Sequence, residues 1–122
     1  MNKKLVLKPS AKHPINIEPL GKKVTVRVGG QVVAESEKAL VLKEASYPAA
    51  LYIPRGDAKM DLLERSEHGS YCPYKGEASY YSIPSGGNKS TNAIWTYEAP
   101  YEAVSPIKDH LAFYPDRVDE IS

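Results

Sequence analysis

The chain has 122 residues, 42% of them hydrophobic and 25% charged, with a net charge of +1 and a pI of 7.8. That is one domain with enough apolar material for a core, which excludes intrinsic disorder. The near balance of charge argues against electrostatic capture of nucleic acid or of an anionic membrane, and no apolar run approaches the ~20 residues of a spanning helix.

Residues 1–20 open with a basic terminus at Lys3-Lys4 and then carry Pro9, Pro14 and Pro19. Three prolines reject a helix and predict an extended arm, in which Ile15-Asn16-Ile17 can add an edge strand. Residues 21–122 read as one β domain. Val24, Val26 and Val28 alternate with Thr25 and Arg27, and Gly29-Gly30 separates them from Gln31-Val32-Val33-Ala34, a strong hairpin signal. Ala39 to Glu44 predicts a third strand, with Ser36-Glu37-Lys38 able to cap a short helical turn before it. Leu51-Tyr52-Ile53 predicts a short strand that ends at Pro54, and Pro54-Arg55-Gly56-Asp57 a tight reversal.

Ala58 to Arg65 fits either a strand or a single helical turn, and the strand is the preferred reading. Cys72-Pro73-Tyr74-Lys75-Gly76 then turns into a strand from Ala78. Ala78 to Ile83 and Thr91 to Tyr97 form a hairpin across Pro84 to Asn88 that places Trp95 and Tyr97 on one face. Pro100 to Pro106 reads as a loop and Ile107 to Tyr114 as a closing strand. Ten prolines, eight glycines and nine tyrosines suit many short strands. The expected fold is all-β, a single compact domain of curled or barrel-like antiparallel sheets.

Several segments in this order carry a family resemblance: Val26-Arg27-Val28, Tyr52-Ile53-Pro54-Arg55-Gly56-Asp57, Cys72-Pro73-Tyr74-Lys75-Gly76, Ala93-Ile94-Trp95-Thr96-Tyr97 and Ala112-Phe113-Tyr114-Pro115. The chain resembles, from Ile15 to Val118, the bacterial family called domain of unknown function 427, also called a nucleotidyltransferase-like domain. The resemblance implies a fold similar to the β-tent of methionine sulfoxide reductase B and of cereblon-type ligand-binding domains. Two departures matter. Gly56 stands where the family usually carries an acid, and a single cysteine rules out the paired Cys-x-x-Cys zinc site of related folds. No Gly-Ser element followed by an Asp-x-Asp metal pair backs the nucleotidyltransferase name.

Cys72 is a candidate nucleophile because Lys75 lies three residues on, or else a small hydrophobe at a turn. Lys75, beside Gly76, offers three donors to a carboxylate or phosphate, or else fastens the turn by pairing with Glu44, Asp57 or Glu77. Arg55 and Asp57 sit on a tight turn, where Asp57 alternatively caps the following segment. Tyr52, Tyr80, Trp95 and Tyr97 can line a small-molecule pocket or form core. His13, His68 and His110 are too scattered to give a metal signal, and Glu98, Glu102, Asp116 and Asp119 read as solvated surface, with Arg117 pairing with the C-terminal acids.

The expectation is a cytoplasmic domain that binds a small polar or anionic metabolite, without cofactor, metal, nucleic acid or membrane. An enzyme using Cys72 or Lys75 covalently and a structural or protein-interaction module are the alternatives. A single cysteine and the lack of a signal-peptide core underlie the compartment.

Overall fold

The computed structural model describes residues 4–122. Lys3 of the basic terminus lies outside the described residues, and Lys4 pairs with Glu77. Among the described residues the strands are Ile15–Pro19 (β1), Val24–Val28 (β2), Gln31–Ser36 (β3), Leu40–Glu44 (β4), Ala50–Pro54 (β5), Glu64–Cys72 (β6), Gly76–Ser82 (β7), Ile94–Thr96 (β8), His110–Phe113 (β9) and Glu120–Ile121 (β10). They build two antiparallel sheets, a seven-stranded one in the order β1-β4-β5-β9-β8-β7-β6 and a three-stranded one in the order β10-β2-β3. The fold is a single all-β domain, and the sheets stay open rather than closing into a barrel.

The β2–β3 hairpin turns on Gly29 and Gly30, with φ of 59° and 78°. Both signs are positive because a two-residue hairpin must twist in the same sense as its strands. Val24, Val26 and Val28 are buried while Arg27 is exposed, as the alternation requires. Ser36 caps no helix: its Oγ accepts the Lys38 N–H at 2.9 Å across an irregular bend, and the chain goes straight on into β4. Ala58 makes only an isolated bridge to Ala34, and Met60–Leu62 forms one 3-10 turn, so the preferred strand reading there gives way to the helical turn.

Three assignments change. β6, nine residues long, has no predicted counterpart, because Glu64 to His68 carry no alternating apolar pattern. It is an edge strand, exposed over most of its length and interrupted by an irregularity between Arg65 and Gly69, which blunts the edge. β9 lies in the middle of the seven-stranded sheet and is not a closing strand. The chain instead ends on β10, too short for any pattern to mark, pairing with β2.

Glu98 and Asp119 keep exposed side chains, as surface residues do, but each is paired. Glu98 accepts from Arg65 at 2.9 Å and Asp119 accepts the Gly29 N–H at 2.7 Å. Each carboxyl is held below its ordinary range, Glu98 chiefly by Arg65 and Asp119 chiefly by the Gly29 N–H. Arg117 donates to the Asn92 carbonyl at 2.9 Å and lies over the Tyr114 ring, and it forms no salt bridge with the C-terminal acids among the described residues.

Successive residues of a strand point to opposite faces of its sheet. Ile53, Tyr81, Ile94, Leu111 and Phe113 therefore face one way, where the three-stranded sheet packs Val24, Val26, Val28 and Val33 onto them. Tyr52, Tyr80, Ala112 and Leu42 face the other way, with Tyr97, Val104 and Ile107 added from outside the strands. The domain thus has two cores back to back.

Candidate functional site

The second core is incomplete. Tyr52, Ala112, Trp95 and Tyr80 occupy one continuous rung across β5, β9, β8 and β7. Ala112 is the small member of that rung, and it leaves the rings of Tyr52 and Trp95 room to meet edge-on, 6.1 Å apart. The Trp95 indole N–H donates to the Tyr52 hydroxyl at 3.0 Å. Above this floor a cavity of about 240 Å³ is bounded by the same tyrosines together with Tyr97, Tyr114 and Pro48.

Lys75 supplies the one cation of this cup. Its backbone is fastened at both ends: the N–H donates to the Cys72 carbonyl and the carbonyl accepts the Tyr101 N–H, each at 3.1 Å. Gly76 follows at φ 110°, a left-handed geometry that a side chain resists, and it sends the chain into β7. The Lys75 side chain is thereby turned inward, and the residue is only 8% exposed.

Its ammonium donates to Oε1 of Glu44, the last residue of β4. Oε2 of the same carboxylate meets His13 Nε2 at 2.8 Å, and the His13 ring stacks on Tyr74 with centroids 4.0 Å apart. Burial alone raises the Glu44 carboxyl. The hydrogen bonds and charges of Lys75 and His13 outweigh it and hold the group below its ordinary value of 4.5. Burial pushes the phenols of Tyr52 and Tyr97 up, and burial beside Tyr80 pushes Tyr114 up to about 12. Tyr52, Tyr97 and Tyr114 are therefore neutral hydrogen-bonding groups at physiological pH and not bases.

Two features of this cup point outward to a ligand. Lys75 has three N–H donors, and Glu44 is its one hydrogen-bond acceptor among the described residues. The Tyr97 hydroxyl has no hydrogen-bond partner among the described residues either, although Tyr97 is 5% exposed.

Of the residues singled out in the sequence, Tyr52, Lys75, Tyr80, Trp95 and Tyr97 all line this cavity. Arg55 and Asp57 do not. Arg55 Nη1 donates to the hydroxyl of Tyr81, on the opposite face from Tyr80, and Asp57 accepts from Ser36 Oγ at 2.6 Å. Arg55 is therefore not placed to reinforce Lys75. Cys72 is half-buried against the second core, and its thiol has no hydrogen-bond partner among the described residues. His68 stands edge-on to Tyr80, 4.4 Å between centroids.

Of the three acids that sequence reasoning offered Lys75 as an ion-pair partner, Glu44 is the one it meets, whereas His13 was passed over as a site residue. A signal for Glu44 existed: Leu40 and Leu42 point into the second core, so period two puts Glu44 on the same inner face. No such signal marks His13, which lies 31 residues before its partner. Among the described residues, no group of three or more histidine, cysteine, aspartate or glutamate side chains is placed to hold a metal ion. No helix among them is long and apolar enough to cross a membrane.

The fold and cup define an all-β domain with an aromatic cavity floored by a hydrogen-bonded rung and edged by a buried ion pair. The model of the family described as Domain of unknown function (DUF427) matches residues 16–122, and the chain belongs to that family. A comparison with curated proteins found no match.

Proposed function

We propose that the cup binds a small polar or anionic metabolite and that Lys75 meets its oxygen atoms. The observation that carries this reading is the buried Lys75 ammonium, which lines a cavity with donors left over after its bond to Glu44. These donors border the cavity, where a ligand oxygen meets them without breaking a bond inside the protein. Tyr97 adds a further donor, while the ring faces of Tyr52, Tyr80 and Trp95 supply apolar contact for a flat body. Its single free cysteine suits a reducing cytoplasm as the place of action.

A second reading has an observation of its own. The Lys75–Glu44 pair joins the β6–β7 turn to the end of β4, which suits a structural or interaction module that holds no ligand. Native mass spectrometry of freshly purified protein separates the two. The binding reading expects a retained small molecule that Lys75→Met loses and Arg55→Met keeps. A clean apo mass, with no molecule from a cell extract retained by either form, favours the module.

A further inference from the structure

A second cavity, of about 520 Å³, lies against the first and is lined almost wholly by carbon. Val24, Val26 and Ile121 of the three-stranded sheet form one side of it, and Leu51, Ile53 and Phe113 of the seven-stranded sheet the other. It runs round the end of the larger sheet where β5 begins and β9 finishes, because Pro48, Ala49 and Tyr114, from beyond that end, also line it. Close-packed interiors leave few voids larger than a water molecule, so an apolar hollow of this volume is space that an apolar group can fill. Pro48, Ala50, Trp95 and Tyr114 are walls of both cavities. The Trp95 and Tyr114 rings stand 4.5 Å apart, and Trp95 turns its N–H to Tyr52 in the cup.

We infer that the ligand is a carboxylic acid with an apolar chain: its carboxylate lies at Lys75 and Tyr97 and its chain passes Trp95 and Tyr114 into the cavity between the sheets. This rests on the cup being a ligand site. The charge of the cup selects the head group. Lys75 and Glu44 already cancel, so every further negative charge in the cup is uncompensated, and a singly charged carboxylate costs less than a doubly charged phosphate. The carboxylate accepts the remaining Lys75 N–H groups and the Tyr97 hydroxyl, which have no other acceptor among the described residues. The volume beyond Trp95 falls within the range of small-molecule sites and has room for a medium chain.

Trp95 is the single tryptophan and borders both cavities, so its fluorescence reports the experiment. The full chain is titrated with butyrate, hexanoate, octanoate and 1-octanol. Affinity is expected to rise about fourfold per methylene from butyrate to octanoate, the effect of burying each CH₂. Octanol is expected to bind at least tenfold more weakly than octanoate. Ala49→Phe places a large ring at an exposed position that lines only the apolar cavity, so the core is untouched and Trp95 stays the single tryptophan. It is expected to flatten the chain-length series while leaving butyrate binding in place. Butyrate and octanoate binding equally well overturns this inference and leaves the cup a ligand site. Octanol binding as tightly as octanoate removes the carboxylate from the cup. Binding by none of the four, in a protein whose mass shows no retained molecule, overturns both.

Discussion

The two faces of the seven-stranded sheet are made by the same strands and differ in almost every physical respect. On the face covered by the three-stranded sheet, Val26, Val28, Val33, Ile94 and Leu111 are fully buried, and the hydroxyl of its one tyrosine, Tyr81, is met by Arg55 at the edge. On the opposite face, tyrosines replace branched aliphatics, the cover is a 3-10 segment carrying Val104 and Ile107, and an ion pair closes one side. Aliphatic residues fill space without polar obligations. Tyrosines bring hydroxyls that need partners, and only some have them here. Tyr52 has Trp95 and Tyr80 has Ser70, whereas Tyr97 has none among the described residues. The closed face meets its polar groups within the protein and its spare volume is apolar; the open face leaves polar atoms unspent, as a binding surface must.

The largest test of that contrast is the ion pair. Glu44→Leu leaves the Lys75 ammonium buried without its carboxylate, and a loss of about 3–5 kcal/mol is expected in a urea melt. Adding Lys75→Met to it replaces both charges by apolar groups, and most of the loss is expected to return. A single variant within about 1 kcal/mol of the parent breaks the comparison, since the pair would then behave as an exposed one.

Acid separates the faces by a smaller amount. Glu44 titrates below its ordinary value of 4.5 in the folded protein, so the unfolded chain takes up the proton first as pH falls. Its contribution to stability is complete above about 4.5 and is lost as pH drops through the folded value. Glu98 and Asp119 are shifted in the same direction and are present in every variant discussed here. The parent is therefore expected to lose more stability between pH 6 and pH 3 than the Lys75→Met/Glu44→Leu double variant. Parallel curves for the two proteins would place Glu44 outside the acid response. A closed-face variant such as Leu111→Ala is expected to cost about 2–5 kcal/mol and to shift the whole curve without changing its slope.

Much of the closed face is readable from alternation, because burying one side of a strand writes period two into it. β2 and β3, with glycines between them, show this most plainly. β6 is held by backbone pairing to β7 at an exposed edge, so its side chains record nothing of the strand. The cup was half legible. Tyr52, Tyr80 and Trp95 share a rung because each sits at the matching position of its own short strand. Arg55, only three residues from Tyr52, goes to the other side through the 3-10 turn after Pro54 and bonds Tyr81. Contacts of His13 with Glu44, and of Glu44 with Lys75, each span 31 residues, and no local pattern encodes a pairing made only when β1, β4 and the β6–β7 turn come together.

The smallest expected effect on stability is also the sharpest test of the open face. Tyr97→Phe removes one oxygen and keeps the ring that packs with Val104 and Ile107 in the second core. If that hydroxyl has no protein partner, folding loses nothing that it had gained there. The change is expected to stay within about 0.5 kcal/mol, as for a substitution away from any network. Tyr52→Phe makes the control, because it leaves the Trp95 indole N–H without its acceptor and is expected to cost about 1–3 kcal/mol. For ligand the order reverses in meaning: Tyr97→Phe is expected to weaken binding of a carboxylate about tenfold while the melt stays in place, one lost hydrogen bond to a charged group. A Tyr97→Phe protein that is destabilised as much as Tyr52→Phe would show that the hydroxyl serves the fold, and the open face would then be a second core and nothing more.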